Sequence, residues 1–171
     1  MINNFHIRTA QRSDAETIAQ FNAALARETE HFELDMPRLL RGVNGMFDEP
    51  TRGFYLLAQI NNEIAGQLMI TCEWSDWRNG VFWWIQSVYV VPDARRGGVY
   101  RALHAWVERQ ARRIPGVCGL RLYVDRDFID AETACRSSEI LLKTATSSSI
   151  LPTSCSSFSF SVFIVHRSLE F

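Results

Sequence analysis

The feature that most constrains this chain is the segment from residue 81 to residue 107. It opens with Val-Phe-Trp-Trp-Ile-Gln-Ser-Val-Tyr-Val-Val and closes that apolar run at Pro92. A run of this kind is far short of the ~18 residues of a membrane span. It reads instead as a strand buried on both faces, stopped by a proline that has no N–H to give a ladder. After a polar loop, Gly97-Gly98 opens a second pattern, in which Val99, Leu103, Trp106 or Val107, Gln110 and Ile114 recur at helical spacing. A further apolar stretch at 120–124 follows. Strand, helix and strand in this order make a β–α–β step, so the chain must pack helices on a sheet.

The residues before this segment supply the rest of the sheet. Phe5, Ile7 and Thr9 alternate as a first strand does. Ser13-Asp14-Ala15-Glu16 has the form of a capping box, and Ile18, Phe21 and Leu25 continue it as a first helix of about four turns. A second helix fits residues 36–46, with Pro37 tolerated in its first turn. Residues 54–60 and 64–72 read as the two strands of a hairpin around Asn61-Asn62, and Asn79-Gly80 predicts another tight turn built on positive φ. The fold class expected is α+β: a mixed, mostly antiparallel central sheet flanked by helices.

Composition divides the chain. Residues 1–131 hold 3 serines and all 9 glycines, whereas residues 132–171 hold 11 serines, no glycine, no Trp and no Tyr. We therefore expect a domain at 1–131 and an atypical serine-rich segment at 132–171. Net charge of −1 gives no overall attraction to nucleic acid or to an anionic membrane, so a basic site must be local. Cys72, Cys118, Cys135 and Cys155 form no CxxC pair and no metal-ligand spacing, which favours free thiols in a reducing, cytoplasmic setting without a metal.

A ligand is implied by a local conflict. The first amides of a helix have no intrahelical acceptor and favour an anion. Arg95, Arg96 and Arg101 place cations at that same end, where they disfavour the helix itself. A polyanion such as a pyrophosphate resolves the conflict, and glycine lets the backbone approach it. Glycine pairs before helices also occur in ordinary loops, and arginines at helix starts are often simply solvated.

The whole segment from Val88 to Leu103 resembles the acetyl-CoA motif of the GNAT acetyltransferase superfamily, V-x-P-x-x-[QR]-x-x-G-x-[GA]-x-x-L. Val90, Pro92, Arg95, Gly98 and Leu103 fall on the pattern, while Tyr100 stands where Gly or Ala is usual. The order of elements in residues 1–131 is similar to that family's fold. The resemblance implies acetyl-CoA as co-substrate, held by Arg95, Arg96, Gly97, Gly98, Val99, Tyr100 and Arg101 at the pyrophosphate. It also implies that Val88 and Val90 pair their backbones with the pantetheine arm at a bulge in the strand. The acceptor would be a small-molecule or peptide amine, with no nucleic-acid or membrane partner, and homodimers are common in the family.

The same resemblance implies direct attack of the amine on the thioester, with an amide near Tyr89 or Val90 for the oxyanion. A carboxylate base is usual on this strand, but Gln86 and Ser87 stand there, so a water relay, Glu73, Asp76, Glu30 and His31 are the alternatives. Trp74 and Trp77 are candidates for an acceptor wall or a subunit interface, and at least one of Trp83 and Trp84 for the core.

After Tyr123-Val124-Asp125 the resemblance fails. Phe128 replaces the family's Asn, Cys135 its general-acid tyrosine, and Ser138-Glu139 its Leu-Gly. A catalytically impaired acyl-CoA-binding remnant is therefore the alternative to an active N-acetyltransferase. Residues 147–161 are low in complexity, and residues 158–165 alternate enough to form one strand. Motif and composition change together, which we attribute to a reading-frame shift near codons 128–132, the rival being a divergent extension. Sequencing the gene tests this: an L-G-[FM] continuation should appear out of frame downstream, and its absence removes the hypothesis.

Overall fold

A computed structural model describes residues 5–125 and 159–165 of the chain. The elements are β1 (His6–Thr9), α1 (Ala15–Glu30), α2 (Met36–Asp48), β2 (Gly53–Ile60), β3 (Glu63–Ser75), β4 (Gly80–Val90), α3 (Val99–Ala111), β5 (Val117–Asp125) and β6 (Ser159–Val165). The six strands form one sheet in chain order, with β1–β2 and β2–β3 antiparallel and β5–β6 parallel. The α+β class and the mixed sheet expected from the sequence are both present.

The chain divides into two compact units. The first comprises Met1–Cys72 and Ile85–Gln110, and the second Glu73–Trp84 and Ala111–Phe171. In the first unit α1 and α2 cover a core of Ile18, Ala19, Val43, Tyr55 and Leu57, with Leu39, Leu40, Ile64 and Met69 packed around it. The hairpin turn at Asn61 and Asn62 has φ of 52° and 68°, as a two-residue turn between twisted strands requires. Helix α3 buries Val99, Leu103, Val107 and Ala111, so Val107 and not Trp106 continues the apolar stripe. Ile114 lies past the end of α3 and is exposed, because the helix stops at Ala111.

The start of α1 differs from the capping box expected at Ser13. A single 3-10 turn, Arg12–Asp14, comes first, and Asp14 becomes the N-cap without a side-chain cap bond. Its carboxylate is otherwise engaged. Arg8 donates to both oxygens at 2.7 and 2.8 Å, and the Gln11 amide donates to one of them at 2.7 Å. At α2 the cap forms as expected, with Asp35 accepting from the Arg38 amide at 2.8 Å and Pro37 in the first turn.

In the second unit β5 and β6 pair from Gly119 with Ser159 to Asp125 with Val165. The turn before β4 uses positive φ only at Asn79, 46°. Gly80 is there for another reason: a Cβ on it would sit 2.8 Å from the Gly116 carbonyl oxygen, which accepts from the Val81 amide at 2.7 Å. Phe128, Cys135 and Ser138-Glu139, and most of the serine-rich stretch, lie outside the described residues.

The Arg8 hydrogen bonds hold the Asp14 carboxyl below its usual range, with burial opposing and the Gln11 amide assisting. Its contribution to stability is complete above the unfolded pKa of about 3.9 and is lost as pH falls through the lower folded value. Asp14→Asn should therefore cost about 1.5–3 kcal/mol in urea unfolding at pH 7. The gap from wild type should narrow below about pH 4.

Candidate functional site

Within the first unit, β4 loses its regular geometry at Ser87, whose φ is +47°. A non-glycine residue there costs on the order of 1–3 kcal/mol and needs surrounding structure to hold it. Facing this end of the strand, Gly66 of β3 leaves room for a close approach. A Cβ on it would lie 2.9 Å from the Tyr89 carbonyl oxygen and 3.0 and 3.3 Å from the Val99 and Val90 side chains. The last ladder bond runs from the Val91 amide to the Ala65 carbonyl at 3.0 Å.

Beyond it the chain coils tightly. A 3-10 turn, Pro92–Ala94, is closed by the Ala94 amide on Val91 O and the Arg95 amide on Pro92 O, and Gly97 N–H reaches Ala94 O at 3.3 Å. Arg96 and Gly98 both have positive φ, 61° and 91°. Ala102 N–H then donates to Gly98 O at 3.0 Å, the first bond of α3. The N–H groups of Val99, Tyr100 and Arg101 precede that ladder, and those of Arg96 and Gly98 have no backbone acceptor among the described residues. Left-handed residues followed by a helix start turn successive amides toward one point, a concavity suited to an anion. A Cβ on Gly98 would meet only the edge of the Phe5 ring at 3.8 Å, so the backbone there is open to approach.

The three arginines divide their work. Arg95 turns back from the loop: its Nε donates to Val90 O at 2.9 Å and its Nη2 to Glu28 Oε2 at 2.6 Å. Its guanidinium also lies 5.6 Å from the centre of the Tyr89 ring. Tyr89 OH donates to the other Glu28 oxygen at 3.2 Å, and the ring packs on Phe21 at 5.1 Å. Burial first, and the Glu28 charge second, push the Tyr89 phenol up. The charge of Arg95 is thus committed to α1, and Arg96 and Arg101 are the exposed cations at the helix start. Tyr100, off the family pattern, has a ring 5.9 Å from that of His104, and burial pushes its phenol up to about 12. Burial also lowers the His104 imidazole, with Glu108 opposing.

The structure brings Val88, Tyr89, Val90 and residues 95–101 together in this unit. Gln86 is exposed beside them in sequence, with its Nε2 donating to Thr71 Oγ1 at 2.5 Å. Glu73 belongs to the second unit and to a different cluster. One of its oxygens accepts from Arg121 at 2.7 Å and the other from the Trp84 indole, while Arg121 stacks 3.8 Å over the Phe82 ring. Trp83 and Trp84 are both buried; Trp74 and Trp77 are 61% and 84% exposed. Sequence reasoning missed Glu28. Its signal is its place three and seven residues after Leu25 and Phe21, on the apolar stripe of α1.

The family model for the acetyltransferase (GNAT) family matches residues 16–132. The chain belongs to the GNAT acetyltransferase family. A possible acetyltransferase from Clostridium difficile 630 is 40% identical, over 79% of this chain and 89% of that one, with a TM-score of 0.72. A GNAT family acetyltransferase of Staphylococcus aureus shares the fold at 17% identity, over 69% of this chain and 84% of that one, with a TM-score of 0.57. So does a predicted acetyltransferase with acetyl-CoA from Clostridium acetobutylicum, at 19% identity over 69% and 79%, with a TM-score of 0.55. No curated protein is significantly similar in sequence to this chain. The central sheet and its helices are accordingly a GNAT-like fold, and among the described residues no helix is long and apolar enough to cross a membrane.

The Glu28–Arg95 pair is more than 40% exposed on both sides, which limits its energy through solvent screening. A double-mutant cycle of Glu28→Gln and Arg95→Gln in urea unfolding should give a coupling of about 0.2–1 kcal/mol.

Proposed function

We propose that this GNAT protein moves an acetyl group from acetyl-CoA to an amine by direct attack in a ternary complex. The observation that carries the reading is the succession of left-handed Arg96 and Gly98 into the free amides of α3. A pyrophosphate suits that concavity in charge and shape, with Arg96 and Arg101 at its rim. The residues present fit the group: the backbone at Gly98 is open, and Tyr100 stays neutral and adds no repulsion to a phosphate.

The pantetheine arm would pair with the backbones of Val88 and Val90 beyond the bulge at Ser87. The amine lone pair attacks the thioester carbonyl, and an amide near Tyr89 or Val90 receives the developing oxyanion. The C–S bond breaks, coenzyme A leaves as thiolate, and the ammonium proton passes to a base. A water held by Gln86 or Ser87 is our relay toward such a base. The acceptor is a small-molecule or peptide amine, the setting cytoplasmic, and residues 1–131 carry the activity. A second reading, an acyl-CoA-binding remnant with impaired turnover, is favoured by Cys135 standing at the family's general-acid tyrosine.

Coenzyme A should raise the Tm of the wild-type protein and ATP should raise it less. Arg96→Ala with Arg101→Ala should weaken coenzyme A binding by about tenfold to a hundredfold in calorimetry, as expected for two charge-assisted contacts. Thiol release from acetyl-CoA with a panel of amines separates the two readings: release supports the transferase, and binding without release supports the remnant. No effect of coenzyme A on Tm would remove both.

A further inference from the structure

The strained residue of β4 is held from below by a polar string that the proposed reaction does not use. Gln67 stands in the middle of β3 with no solvent exposure, in a run of buried residues from Ala65 to Leu68. It faces α1 across the sheet. Its Nε2 donates to Asn22 Oδ1 at 2.7 Å and lies 3.5 Å from the Ser87 carbonyl oxygen. Burial pushes the nearby Tyr55 phenol of β2 up, with Asn22 opposing. The string therefore runs from α1 through Gln67 of β3 and ends on the backbone of the one residue in β4 with positive φ.

This arrangement is a poor way to build a core. Gln67 Oε1 is buried and has no hydrogen-bond partner among the described residues. A leucine of similar size would leave no such oxygen, and an orphaned buried acceptor in a native structure calls for an explanation. The direction of the Nε2 group supplies one. A carbonyl at a left-handed residue points away from the ladder, and a buried amide donor is what can receive it there.

We infer that Gln67, fixed by Asn22, is a positioning residue for the acyl-coenzyme A site. Its amide draws the Ser87 carbonyl to the α1 side and holds the bulge, and so sets where the backbones of Val88 and Val90 stand. This rests on the reading of that strand as the pantetheine partner. It goes beyond that reading by assigning the cofactor geometry to a side chain, Gln67, that is wholly buried. The orphan oxygen follows, because a side chain that must donate to both Asn22 and Ser87 through one nitrogen turns its oxygen elsewhere.

The test compares wild type with Gln67→Leu, Gln67→Glu and Asn22→Ala, using coenzyme A as the probe. Calorimetry gives the affinity and thermal melting gives the Tm of each. Gln67→Leu should keep or raise the Tm, since it removes the orphan oxygen, yet weaken coenzyme A by about fivefold to tenfold. Gln67→Glu puts a carboxylate against two acceptor oxygens and should weaken it further. Asn22→Ala frees the Gln67 amide to rotate and should lose less than either. A merely structural role moves affinity only with the folded fraction. Wild-type affinity in a folded Gln67→Leu protein, or a loss in step with unfolding across the series, would overturn the inference. Failure of the wild type to bind coenzyme A would instead overturn the proposed function, and the two failures are distinct.

Discussion

Everything at the site depends on how the backbone from Val91 to Ala102 meets its hydrogen-bond demand. The ladder ends with Val91 on Ala65, and α3 begins its own bonds with Ala102 on Gly98. Between these points two tight turns use some of the donors, and the amides at Arg96 and Gly98 are left over. Buried, such amides would be costly; where they are open to solvent they suit negative charge. The buried stripe of α3, from Val99 through Leu103 to Val107, holds the helix where this happens.

The second constraint is the strain that accompanies it. Ser87 and Arg96 are both non-glycine residues with positive φ, at the two ends of the same segment. Such residues persist only where neighbours over-determine them. At Ser87 the neighbours are Gln67 and Asn22; at the loop, Arg95 ties the Val90 carbonyl to Glu28. Helix α1 contributes to both clamps. Its role is thus double: Ile18 and Ala19 bury an apolar stripe in the core, and Asn22 and Glu28 brace the site.

Charge is distributed by the same logic. Of three arginines clustered in sequence, one is absorbed by a carboxylate 67 residues away in the chain but adjacent in space, and two are exposed to solvent. Glu73 is likewise absorbed, between the Trp84 indole and Arg121. A carboxylate's place along a strand does not show which groups hold it. Sequence spacing brings such groups to attention, and their partners decide what they can do.

The sequence by itself determined the order of strands and helices along the chain and the glycine loop that opens α3. These follow from local rules: apolar alternation, proline at a strand end, glycine where a Cβ would obstruct, and helical spacing after it. Even there, the start of α1 was misplaced: a 3-10 turn over Arg12–Asp14 precedes it, and Asp14 is held by Arg8 from another element, which no local pattern shows. Gly80, too, matched a turn pattern but serves an approach to Gly116 from a distant part of the chain. What only the tertiary structure decided is the pairing: Arg95 with Glu28, Gln67 with Asn22 and Ser87, Glu73 with Arg121. These partners are 67, 45, 20 and 48 residues apart, and a side chain's partner at such separation is set by how the sheet and helices pack, not by its neighbours in sequence.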